Sequence, residues 1–240
     1  MESIHGDVQL GAARLAKQIL RRTEVTGSEQ VSAAESLRQE LLAWDGQMSA
    51  DSRGALLYAS WRAAMTDWIA EQPPFVALRD PDPLPGPFAA TMDVRVRIGV
   101  AFDAICLNAD KLDLDLQTGV TSALAAVAAD PPTGVWGDAH RLAPVHGLTG
   151  LAEDHVPRLP DPPLAGDGSC VRATHSTPGL THHCAMTSMA RYVWDLADPS
   201  RSRWVVPFGA SGGPAIRTTS TRRRRGRRPN STRWSWTGPC

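Results

Sequence analysis

RYVWDLADPSRSRWVVPFGASGGP, residues 191–214, carries two short runs, RYVWDL and SRWVVPF, on either side of an Asp-Pro-Ser segment. Aromatic and β-branched residues bounded by Asp, Pro, Gly and Ser predict strands over 191–196 and 202–208. The same Pro-, Gly- and His-rich texture extends back to about Asp130. Upstream of that point the apolar residues return with a helical period instead.

Val8, Leu10, Leu15, Ile19 and Leu20 predict a helix over 8–22, closed by Arg21 and Arg22 where cations suit the helix dipole. Val31, Ala34, Leu37, Leu41 and Trp44 share one face of a second helix over 30–44, with Gly46 as its stop. A third opens after Ser49 or Asp51 and sets Leu57, Trp61, Met65 and Trp68 on one stripe, read as core packing. PPFVALRDPDPLPGPF (73–88) reads as a loop without regular structure, because proline lacks the backbone donor. Further helices are expected near 89–107 and 115–129. Helices first and strands later make the fold class α+β rather than an alternating βαβ fold. The expected divisions are a mainly helical segment 1–130, a β-rich segment 131–215 and an arginine-rich tail 216–240.

Charge separates the tail from the rest. The chain holds 25 basic and 25 acidic residues, yet eight arginines and no acid lie from Arg217 onward. The body therefore carries 17 basic against 25 acidic residues, a formal charge of −8. Such a body has no electrostatic attraction to phosphate backbones or anionic lipid. No apolar run approaches the roughly 20 residues of a membrane span. The N-terminus lacks a basic stretch followed by an apolar one, so no signal peptide is expected; the location is otherwise unknown, cytoplasmic on that ground alone. Cys106, Cys170, Cys184 and Cys240 form no CxxC pair and are expected to stay reduced.

P-loop, dinucleotide, HExxH and GxSxG motifs are absent. His175, His182, His183, Cys170 and Cys184 lie close in sequence, but H-x6-H-H-C matches no usual zinc spacing. Adjacent His182 and His183 would point apart on an extended strand. A solvated loop is the expectation for this group. His140 and His146, in VWGDAHRLAPVHGL (135–148), have no nucleophile or carboxylate set beside them by the sequence. They are read as holding a turn rather than as acid–base groups.

Three blocks taken together are more specific. WGDAHRLAPVH, GDGSCVRAT (166–174) and RYVWDLADPSRSRWVVPFGASGGP, in that order and spacing, resemble the C-terminal part of the penicillin acylase (penicillin amidase) β chain. IHGDVQLGAARL (4–15) and LLAWDGQMSADSRGALLYASWR (41–62) resemble it too, so the likeness covers about residues 3–215. It implies a fragment of the αββα sandwich of N-terminal-nucleophile hydrolases. It also implies an amide hydrolase for penicillin-type or acyl-homoserine-lactone-type substrates. In that family an N-terminal serine attacks the amide carbonyl, its own α-amine acts as base, and backbone and asparagine donors hold the oxyanion. The resemblance implies that the nucleophile and the oxyanion asparagine precede the segment matched here and that the calcium ligands fall outside it. No catalytic, cofactor or metal residue of this sequence is therefore assigned. Ser3 would need Met1 and Glu2 removed, and its setting ESIHGD does not match the nucleophile motif. The chain alone is expected to be inactive, with an upstream fragment carrying the nucleophile as its partner.

The tail IRTTSTRRRRGRRPNSTRWSWTGPC (216–240) replaces the terminus that the resemblance implies, a pattern of the form PHY-x-x-Q followed by W and P-V. Codons allowed for Ile216–Arg223, read two bases along, spell PHYEHQA. The same offset on Pro229–Cys240 gives ELDPVVLDWAL. Residues from about 216 are therefore read as out of frame. The alternative is a non-enzymatic protein that binds nucleic acid through this arm, with Trp234 and Trp236 stacking on bases.

Overall fold

The structure, a computed structural model, describes residues 8–25, 29–79, 93–143, 161–177, 179–187 and 191–205. Among these, the helices are α1 (Ala13–Arg22), α2 (Glu29–Ala43), α3 (Arg53–Ala70), α4 (Pro73–Val76), α5 (Val94–Leu107), α6 (Leu116–Ala129) and α7 (Trp136–Ala139). The strands β1 (Thr174–Thr177), β2 (Thr181–Thr187), β3 (Arg191–Val193) and β4 (Arg203–Val205) follow. The order is α+β, with helices in the first half. No helix among the described residues is long and apolar enough to cross a membrane.

α3 is the central element because its sequence leaves it little choice. Leu56, Leu57, Tyr58, Trp61, Met65 and Ile69 surround its axis, and a helix apolar on most sides must be enclosed. α2, α5, α6 and α7 pack around it. Ser52 starts it by accepting a hydrogen bond from the Ala55 amide at 3.1 Å. Leu57, Trp61 and Met65 are fully buried, and Trp68 packs at the edge of the same core. α6 approaches closely at Gly119, where a β-carbon would lie 2.7 Å from the Trp68 ring. An aromatic row runs from Trp44 through Tyr58 and Trp61 to Phe102, with centroid spacings of 4.9, 6.1 and 6.2 Å. The row has a cost: Tyr58 Oη, Trp61 Nε1 and Arg62 Nε are buried with no hydrogen-bond partner among the described residues.

Two sequence expectations need correction. The first helix begins at Ala13, not residue 8, because Val8–Leu10 runs extended beside residues 46–48. Leu10 N donates to Gly46 O at 2.8 Å, and Met48 N to Val8 O at 2.9 Å. Gly46 does serve as the stop after α2, with φ +84°. The proline-rich stretch is also not wholly irregular. Pro73 and Pro74 open the single turn α4, where a missing amide costs nothing, and Phe75 is buried. Residues 80–88 of that stretch lie outside the described residues.

The strands form two antiparallel pairs, β1–β2 and β3–β4. β2 is also bridged in parallel at Cys184 by Leu142, and Arg141 pairs antiparallel with Pro163. β3 and β4 fall inside the two runs expected from sequence. RYVWDL stops early because the Asp195 carboxylate turns the chain, accepting from the Ala197 and Asp198 amides at 3.1 Å each.

Candidate functional site

The quoted histidine and glycine motifs meet at the seam between helices and strands. α7 is a single turn whose Asp138 carboxylate accepts from the Val135 amide at 3.0 Å. It rests on the start of α3: Trp136 N donates to Ser52 O at 3.0 Å and Gly137 N to Ala50 O at 2.6 Å. Gly137 is required by closeness, since a β-carbon there would lie 2.9 Å from both Ala50 O and Pro163 Cβ. The Trp136 indole is fully buried and donates to Gly166 O at 3.0 Å. Gly166, at φ +97°, in turn donates its amide to Met48 O at 2.7 Å.

His140 lies inside this seam with no exposed surface. Its ring stacks on Trp136 at 4.3 Å and 9°. Nδ1 is 2.7 Å from the His182 carbonyl, which can only accept, so Nδ1 carries a proton. Nε2 is 3.0 Å from the Thr174 hydroxyl, which is itself 3.1 Å from Ala165 O. His182 meets the Trp136 ring edge-on at 5.5 Å. Burial pulls both imidazoles below the usual histidine range, so both favour the neutral form.

A second polar contact reinforces the seam. Asp167 is buried and faces Arg62 of α3 at 3.7 Å. Arg62 donates to Gly99 O at 2.7 Å and lies 5.5 Å from the Phe102 ring centroid. The Asp167 carboxylate also accepts from Ser169 N at 3.1 Å, while its carbonyl accepts from Cys170 N at 3.1 Å and Thr174 N at 3.3 Å. One aspartate thereby shapes the 166–174 turn and ties it to the central helix.

These groups are committed to structure rather than poised for chemistry. A general base needs a nitrogen lone pair facing a substrate, and both His140 nitrogens already face protein oxygens. Cys106 and Cys184 are free thiols pushed up to about 12 by burial, so neither supplies a thiolate near neutral pH. Among the described residues no group of His, Cys, Asp and Glu is arranged to hold a metal ion. The open cleft lined by Gln9, Arg14, Lys17 and Asp45 contains no serine or cysteine, and Lys17 donates to the Trp44 carbonyl.

The expected solvated loop at 175–184 is instead a β-hairpin. His175 lies on β1, and His182 and His183 on β2. Adjacent His182 and His183 do diverge: the first is half-buried against Trp136, the second is exposed. His140 does more than hold a local turn, since its partners lie 34 and 42 residues away. Ser3, His146, Cys240 and the arginine-rich tail lie outside the described residues. Sequence reading passed over Thr174, Asp167 and Arg62. The available signals were an aspartate between two glycines and an arginine within the apolar stripe of α3.

The family model described as penicillin amidase matches residues 1–228. The chain belongs to the penicillin amidase family. It is 30% identical over 203 residues to the penicillin acylase 2 proenzyme of Pseudomonas sp. (strain SE83), a match covering 81% of this chain. The aligned part is 26% of that relative's length. The seam residues Trp136, His140, Gly166, Asp167 and Thr174 all fall within the span matched to the penicillin amidase family. That span also runs into the arginine-rich stretch, twelve residues beyond 216.

Proposed function

We propose that this penicillin amidase chain is a scaffold part of an amide hydrolase and is inactive by itself. The substrate class is an acylated amide of the penicillin or acyl-homoserine-lactone type. The nucleophile in this reading is an N-terminal serine carried by an upstream fragment. In this reading the serine hydroxyl attacks the amide carbonyl while its own amine takes the proton. The amine product leaves, and water then releases the acyl group.

The observation that carries the reading is the family match across residues 1–228, joined to an alignment with only 26% of a relative's length. The seam supports it: His140 is spent on Thr174 and His182, and Asp167 on Arg62. From about residue 216 the chain is proposed to be read out of frame. An uninterrupted gene unable to encode PHYEHQ in another frame would refute that part.

The test is hydrolysis of a chromogenic phenylacetyl or fatty-acyl amide. The purified chain alone is expected to give no turnover. Turnover is expected when it is mixed with an upstream fragment that carries the N-terminal serine. Hydrolysis by the chain alone overturns the scaffold reading, and no activity in the mixture overturns complementation.

A further inference from the structure

We infer that His140, Thr174 and Trp136 form an acid-released latch that seats the β1–β2 hairpin on the helical half. The latch rests on an inventory of protons. The His182 carbonyl at 2.7 Å fixes a proton on Nδ1. Thr174 has one hydroxyl proton and two acceptors within reach, His140 Nε2 at 3.0 Å and Ala165 O at 3.1 Å. With a neutral ring the hydroxyl donates to Nε2, which closes the contact between α7 and β1. When Nε2 binds a proton, the hydroxyl must turn to Ala165 and the ring becomes a cation without exposed surface.

The surroundings decide which state is seated. From β2, His182 and the exposed His183 both oppose a charge on the His140 ring. On β1, His175 sits beside Thr174, with its Nδ1 2.6 Å from where a Gly168 β-carbon would stand. Asp138, in the same turn, is occupied by the Val135 amide. Arg141, the next residue, pairs outward with Asp161 at 3.4 Å. Asp167 is the acid that favours a charged ring, and Arg62 of α3 already faces it at 3.7 Å. The Trp136 face attracts a cation, but weakly compared with the loss of hydration on full burial. One additional hydrogen bond to Ala165 does not offset that loss, so protonation unseats the hairpin.

The sign follows from burial, which depresses the folded-state affinity of His140 and His182 for protons. Their contribution to seating is complete above the unfolded histidine value of about 6.5 and is lost as pH falls through the lower folded values. Both rings move in the same direction, so the release is steeper than for a single histidine. The latch is independent of the amidase reading, because it concerns the seating of the hairpin in this chain alone.

Hydrogen exchange of residues 181–187, corrected for intrinsic rates, is the direct test, with 116–129 of α6 as internal reference. Between pH 7.5 and pH 5.5, protection at 181–187 is expected to fall at least tenfold while that of α6 holds. His140→Gln, neutral at both pH values, is expected to remove most of this drop. Equal protection at the two pH values overturns the latch, as does an undiminished drop in His140→Gln. If the variant does not fold, the His140 ring-proton titration in the unaltered chain decides. A midpoint below 6.5 coincident with loss of hairpin protection supports release, whereas a midpoint at or above 6.5 overturns it.

Discussion

The helical half and the strands of this chain handle their large apolar residues in opposite ways. Between Ala13 and Ala129, Tyr58, Trp61 and Phe102 are at most 2% exposed. Among the strands and their connections, Met186, Trp194 and Leu196 are 64%, 63% and 92% exposed. α5 shares some of this character, with Val100 and Leu107 on its open side, but its other face is fully in the core. The helices thus close a core of their own around α3. Among the described residues the strands form two pairs, and a two-stranded pair is marginal without a layer to pack on. β1 and β2 obtain such a layer through the seam of Trp136, His140, Thr174 and Asp167. The difference teaches that one protein can contain an enclosed helical core and, among its described strands, exposed apolar side chains, with a few buried polar bonds where the two meet.

The strongest way to break the comparison is to remove the centre of the finished part. Trp61→Ala leaves a large void between Tyr58 and Phe102 and is expected to cost about 3–5 kcal/mol. Urea unfolding followed by circular dichroism at 222 nm should show the whole helical transition moving to lower denaturant. A helical transition that stays in place would mean that α3 is not the organising element.

Gly137→Ala attacks the seam instead. The added methyl meets Ala50 O, Pro163 and Ala50 Cβ at 2.9–3.0 Å, all on packed backbone or small side chains. The expected cost is about 1–3 kcal/mol, felt at residues 140–142 and 163–187 more than at α6. Uniform loss across both halves would show that the seam and the helical core unfold as one unit.

The smallest effect sharpens the helical side. Glu35 is held at about 2 by hydrogen bonds from Arg38 and then Gln39, and Arg38 also donates to Leu20 O at 2.8 Å. A carboxyl depressed below its ordinary 4.5 adds stability above that pH, and the addition disappears as pH falls toward 2. The pair is partly exposed, so Glu35→Gln should cost only about 0.5 kcal/mol at pH 7. Melting curves of the two proteins should converge at pH 2; a constant gap would assign the effect to something other than ionisation.

The helices were legible in the sequence because local periodicity and local stop signals determine them. Gly46 and the Leu57–Met65 stripe needed no distant information. Val8–Leu10 misled because its apolar residues continue the helical spacing of α1, while its backbone pairs with residues 46–48. The strands over 191–205 were legible from their aromatic and β-branched content. β2 was not, because THHCAMT carries no alternating apolar pattern, and its seating depends on Trp136 and His140, some 40 residues upstream. The seam was hidden for the same reason: Thr174, Asp167 and Arg62 acquire meaning only when three separate segments are brought together. The family blocks, by contrast, lay in plain sequence order, and the match over residues 1–228 agrees with them.

The central claim, a finished helical core beside strands that depend on a seam, is tested most directly by native-state hydrogen exchange of the purified chain at neutral pH. The account predicts slowest exchange in 53–70 and 116–129, intermediate exchange in 174–187 and fastest exchange in 191–205. Protection in 191–205 equal to that of 53–70 would contradict it.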